Sequence, residues 1–166
     1  MSNDKWLNYY SGQTVDELLA LEGEYRIDSL VLAFEQAIDQ KADRKGEKSI
    51  TIEERIVLAI EALEREVNNG GYHQFFTNSS RDFASSIIDA LSRIGCPRTA
   101  ELTQKAIAAL RLQDLSAEAI EAAIAVDDEE RDEELDRCDQ LYYQAAENIE
   151  QQLFAFIRAN KAAFDL

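Results

Sequence analysis

Apolar residues recur at three- and four-residue spacing through most of the chain, the period of an amphipathic helix. Ile27, Leu30, Val31, Phe34 and Ile38 make one such stripe and predict a helix over about 27–42. Ile52, Ile56, Ile60, Leu63 and Val67 make the strongest one, with Glu61 and Arg65 spaced to pair on its outer side. Thr51 with Glu54, and Thr14 with Glu17, have the capping-box spacing, in which hydroxyl and carboxylate each satisfy an unpaired amide at a helix start. The second box predicts a short helix from Val15 to about Glu22, preceded by Trp6, Tyr9 and Tyr10, which are expected to pack the amino terminus onto the body.

Downstream, Ser80 is placed to cap a helix with Phe83, Ile87, Leu91 and Ile94 on its apolar row, closed by Gly95. Pro97 suits a first helical position, and Thr103, Ile107 and Leu110 continue from it. Ser116 caps a short Ala-rich helix carrying Ile120 and Ile124. The last and longest helix is predicted from about Glu129 to Asn160, through Leu135, Cys138, Tyr142, Ala145, Ile149, Leu153 and Phe156. These elements predict an all-α fold: a single domain over residues 1–166, a bundle of seven or eight helices with a long C-terminal helix, in which 1–50 supply N-terminal helices and 51–161 the core.

The pattern fails in one place. After Val67 the chain reads Asn68, Asn69, Gly70, Gly71, Tyr72, His73, Gln74, Phe75, Phe76, Thr77, Asn78. Asn69-Gly70-Gly71 stops a helix, because Asn and Gly tolerate the left-handed conformation, and Tyr72–Phe76 is expected to add one isolated turn. The expected role is structural, a buried amide network of Asn68, Asn69, Gln74 and Asn78 that satisfies helix-terminal carbonyls at a chain reversal. His73 is the sole histidine, with no second His for a metal pair and no Ser or Cys motif to make a nucleophile with it. No catalytic residue, metal ligand or cofactor motif is therefore assigned.

Composition agrees with a helical protein: six glycines and one proline in 166 residues. Cys96 and Cys138 lack the number and spacing of a disulfide framework or zinc site. No basic start precedes an apolar run at the amino terminus, and no stretch approaches the ~18 apolar residues of a membrane span, so the expected location is cytoplasmic. Charge changes the picture more. The net charge is −16, and it is uneven: residues 114–166 carry 4 basic and 15 acidic side chains, against 6 and 10 in residues 1–50.

Asp127, Asp128, Glu129, Glu130, Asp132, Glu133, Glu134, Asp136 and Asp139 place nine carboxylates within thirteen residues. The first few favour a helix N-terminus through its dipole. The rest do not serve stability, since Glu129 with Glu133 and Asp132 with Asp136 are like charges at four-residue spacing, costing about 0.2–0.5 kcal/mol a pair. Along a helix the nine would span about 18 Å, a charge density near that of duplex DNA. The EF-hand pattern of glycine and spaced oxygen ligands is absent.

The run EALEREVNNGGYHQFFTNSS, with ALSRIG and LDRCDQLYYQAAENIEQQLFAFIRAN downstream, resembles a bacterial domain-of-unknown-function family named for a DNA-mimic protein. The likeness covers about residues 51–161, and Arg81 stands where the family often has Gly. It implies an all-helical fold and, for the member that named the family, an acidic surface that occupies the DNA-binding site of a transcription regulator. Combined with the acidic run, the expected function is a non-enzymatic module that binds a basic protein, a DNA-binding transcription regulator among the candidates. Its contact residues would be Glu129, Glu130, Asp132, Glu133, Glu134 and Asp136. No direct nucleic-acid or membrane binding is expected, and an exposed apolar stripe on the last helix would favour a homodimer. Two alternatives stay open: a shape-based interaction or immunity-type protein whose acidic segment only aids solubility, and an enzyme with a pocket around His73.

Overall fold

The computed structural model describes residues 4–166, and among these all regular structure is helical. Eight α-helices follow in order: α1 (Val15–Ala20), α2 (Ile27–Lys45), α3 (Ile52–Thr77), α4 (Ile87–Arg93), α5 (Pro97–Ala109), α6 (Ala117–Ile124), α7 (Glu129–Gln144) and α8 (Ile149–Ala159). The packing divides the chain into two compact units, residues 1–61 with 148–166, and residues 62–147.

In the first unit Leu18, Leu30, Val31, Phe34, Ile38, Leu153, Phe154 and Ile157 are buried, and α2 packs on α8. Both predicted capping boxes form. Thr14 accepts from the amide of Glu17, whose carboxylate accepts from Thr14. Glu54 does the same for Thr51 and also receives the amide of Asp165 at 3.0 Å and the ammonium of Lys41 at 2.8 Å. This ion pair is buried on both sides, so one carboxylate joins two helices and the C-terminal segment. Ile52, expected on the buried face, is 68% exposed, and Glu61, expected outside, is buried. Of the amino-terminal aromatics, Tyr10 is half-buried and the Trp6 ring lies against the Arg26 guanidinium. Trp6 and Tyr9 are exposed, and the segment is held to α2 by backbone amides, Leu7 donating to Ser29 Oγ and Tyr10 to Gln36 Oε1.

In the second unit α5 packs on α4 and α7 around Leu63, Val67, Tyr72, Phe75, Phe76, Ile87, Leu91, Ile107, Ile120, Leu135, Cys138 and Tyr142. Two helix boundaries differ from the sequence reading. Ser80 does not cap a helix: it lies in a 3₁₀ segment, Ser79–Phe83, and its buried hydroxyl donates to the carbonyl of Phe75 at 2.6 Å. The single helix expected from Glu129 to Asn160 is two, because Ala146 adopts a left-handed conformation (φ 55°) and Asn148 caps α8 by accepting from the amide of Gln151.

The residue between them, Glu147, caps α5 from 48 residues away. Cys96, at the N-cap, makes no side-chain cap. Glu147 accepts instead from the amides of Arg98 (2.9 Å) and Thr99 (2.8 Å) and from the Thr99 hydroxyl. Partial burial opposes ionisation of Glu147, but these hydrogen bonds outweigh it and hold the carboxyl below the usual glutamate range.

Candidate functional site: the acidic face of α7 and the α3 corner

The first helical run of α3 ends at the Asn-Asn-Gly-Gly stretch and a short second run follows it, as the sequence predicts. Gly70 (φ −153°, ψ 17°) and Gly71 (φ 77°, ψ −175°) leave helical geometry, and the helix resumes at Tyr72 and runs to Thr77. Tyr72, Phe75 and Phe76 are fully buried, with the Tyr72 ring edge-on to Tyr142 and its hydroxyl 2.7 Å from that of Thr103. His73 is exposed, and its contact is the Thr77 hydroxyl.

The amides expected to form a buried network lie elsewhere. Asn68, Asn69 and Asn78 are exposed. Gln74 and Asn78 both donate to Glu66 Oε2, at 2.7 and 2.8 Å, and Asn68 donates to the carbonyl of Glu64. The groups released by the bend are met by α7. Asp139 Oδ1 accepts from the amide of Tyr72 at 2.8 Å, acting as a cap for the resumed helix. Tyr143 donates to the carbonyl of Val67 at 2.7 Å, and Tyr142 donates to Glu64 Oε1. Positions 139, 142 and 143 share one side of a helix, so a single edge of α7 grips the corner. Burial raises the Asp139 carboxyl above its usual range, against the Tyr72 hydrogen bond, and burial likewise pushes Glu64 up to about 7.

The nine carboxylates of the acidic run consequently have different roles. Asp139 is structural. Asp128 caps α7 through the amide of Arg131 and is paired with Arg111, which also reaches Glu130 at 3.3 Å. Glu134 pairs with Arg137 at 2.6 Å. Arg131 is buried, donating to the carbonyls of Ala123 and Val126 at the end of α6 and pairing with Asp132. Glu129, Glu133 and Asp136 are exposed and form no ion pair among the described residues, although the Arg137 guanidinium is near enough to interact with Glu133. Opposite the buried row of Arg131, Leu135, Cys138 and Tyr142, these three and Gln140 form the outer stripe of α7. The stripe is acidic rather than apolar, with exposed Leu141 and Tyr143 only near its end.

Of the six residues expected to contact a partner, therefore, three face solvent outside any ion pair among the described residues and three (Glu130, Asp132, Glu134) are already ion-paired. Sequence spacing could have separated the outer stripe from the rest. It could not show which carboxylates Arg111 and Arg131 neutralise.

Neither cysteine is poised for chemistry: both are buried, and burial raises each thiol to about 11. Among the described residues no group of three or more His, Cys, Asp or Glu is arranged to hold a metal ion, and no helix is long and apolar enough to cross a membrane.

A family model described as DMP19-like protein matches residues 48–160, about two thirds of the chain and the whole of α3 to α8. The chain belongs to the DMP19-like family. The match includes both the α3 corner and the acidic helix, and it begins just before the Thr51–Glu54 capping box. Comparison with curated proteins and with solved structures gave no match.

Proposed function

We propose that this DMP19-like chain is a non-enzymatic, acidic protein-binding module whose partner is a basic protein, most specifically the DNA-binding surface of a transcription regulator. The observation that carries the proposal is the outer stripe of α7, where Glu129, Glu133 and Asp136 stand exposed and outside any ion pair among the described residues. Family membership is compatible with a DNA-mimic role.

Asp127, also exposed, lies just ahead of the helix; on α7 itself Glu129, Glu133 and Asp136 span about 10 Å, or one charge per ~5 Å. That is well below duplex DNA and closer to the ~3.4 Å per charge of one strand. The reading is accordingly of a partner surface that follows one phosphate strand, with Arg and Lys side chains meeting the stripe in sequence. Such contacts are long-range, steer encounter and weaken with salt.

The test is capture of partners from a bacterial lysate at about 50 and 500 mM salt, with and without competing duplex DNA. A basic DNA-binding protein that is retained at low salt, released at high salt and displaced by DNA supports the proposal. A partner indifferent to both salt and DNA contradicts it and favours recognition by shape, for which exposed Leu141 and Tyr143 would be the first candidates.

A further inference from the structure

Tyr143, near the end of α7, is 57% exposed, yet it is held at two points. Its hydroxyl donates to the carbonyl of Val67 at 2.7 Å, and its ring meets that of Tyr142 at 87°, with centroids 6.1 Å apart. An exposed aromatic fixed in this way has already lost its rotamer freedom, so docking on it costs little further ordering. The Val67 hydrogen bond occupies the hydroxyl and leaves the ring to solvent. Lys5, Arg26 and Arg158 each lie over an aromatic ring elsewhere, but no cation among the described residues covers Tyr143.

Side chains on a helix lean toward its N-terminus, so the Tyr143 ring covers the turn of Asp139 and Gln140 and faces back along the outer stripe toward Asp136. Asp139 and Tyr143 share one edge of α7, since both reach the α3 corner, one at the Tyr72 amide and the other at the Val67 carbonyl. Asp136 and Gln140 are exposed. Along its outer face α7 therefore changes from carboxylates alone to a carboxylate beside a fixed ring. An apolar occupant would strip water from Asp136 without replacing it, so the charge of the surroundings selects a cation.

We propose that the Tyr143 ring and the Asp136 carboxylate together dock one arginine side chain of a basic partner, the guanidinium stacking on the ring and donating to Asp136. The inference rests on the outer face of α7 being the partner surface, and adds a preference that charge alone does not supply. A planar, weakly hydrated guanidinium both stacks on a ring and bonds a carboxylate, whereas a compact, strongly hydrated ammonium gains less from the ring.

The test compares two short peptides of equal length and charge, an arginine–serine repeat and a lysine–serine repeat, in binding to the whole chain at low salt. Wild type should bind the arginine peptide about fivefold more tightly, and Tyr143→Leu should lose most of that preference. Tyr143→Phe, which keeps the ring but lacks the hydroxyl that bonds Val67, should retain it. A preference undiminished in Tyr143→Leu, or abolished in Tyr143→Phe, overturns the proposal and leaves Tyr143 a structural tie. Equal, salt-sensitive binding of the two peptides by wild type also overturns it while leaving the acidic-surface reading in place; binding of neither contradicts both. If Tyr143→Leu does not fold, the wild-type Tyr143 ring protons decide: at equal occupancy the arginine peptide should shift them far more than the lysine peptide, and equal shifts refute the proposal.

Discussion

A Cβ on residue 71 would fall 2.2 Å from Asp139 Oδ2, so the carboxylate that caps Tyr72 occupies the space a side chain at Gly71 would need. The backbone there is also in a region that glycine alone enters freely. Gly71→Ala should destabilise the protein by about 2–4 kcal/mol, the strain together with displacement of Asp139 from the Tyr72 amide. Asp139→Ala should cost about 1–3 kcal/mol alone. Because both disturb one contact, the double variant should lose less than the sum, by on the order of 1 kcal/mol. Urea denaturation of the four proteins measures this, and strict additivity would mean that Gly71 and Asp139 are not coupled.

Ala146 holds the α7–α8 break in a conformation that costs an L-residue about 1–2 kcal/mol. Ala146→Gly should therefore be neutral or stabilising by up to about 1 kcal/mol after the entropy of the unfolded glycine is counted. Were the segment one continuous helix, the same substitution would destabilise by about 1 kcal/mol. The sign of the change in denaturation midpoint separates the two.

Lys41→Met should leave the buried Glu54 carboxylate without its cation and cost about 3–5 kcal/mol. Pairing it with Glu54→Leu should not restore full stability, since Glu54 also receives the amides of Thr51 and Asp165. Full recovery in a thermal melt would show that the ion pair alone matters.

Glu147→Gln should destabilise by about 1–2 kcal/mol at pH 7, the cost of a lost helix cap. The folded carboxyl titrates below the unfolded one, so its contribution is present above the ordinary glutamate value of 4.5 and is lost as pH falls through the lower folded value. The gap between wild type and variant should close on acidification. A gap unchanged at pH 3 would assign the effect to shape rather than charge.

Helix starts were legible because capping is local: Thr14 with Glu17 and Thr51 with Glu54 are three residues apart, and both boxes form. The break after Gln144 was not. Ala146 carries no turn signal, and Ile149, Leu153 and Phe156 continue the apolar period across it. Ser80 illustrates the same limit, since a hydroxyl suited to an N-cap serves instead to satisfy a carbonyl five residues back. At the α3 corner the two glycines marked the helix stop, but the group that meets the amide after it, Asp139, lies 67 residues from the Tyr72 it caps. The acidic run was plain in the sequence, whereas its division into capped, paired and free carboxylates depends on Arg111 and Arg131 arriving from positions that only the fold defines.

The central claim rests on the free carboxylates, and the measurement that tests it most directly compares two triple variants in binding the DNA-displaceable partner across a salt series. Glu129→Gln, Glu133→Gln and Asp136→Asn together remove the outer stripe; Glu130→Gln, Asp132→Asn and Glu134→Gln remove the same formal charge from paired positions. The account predicts that the first set weakens binding at low salt by tenfold or more and flattens its salt dependence, while the second does so far less. Equal losses from the two sets, or none from the first, would contradict it.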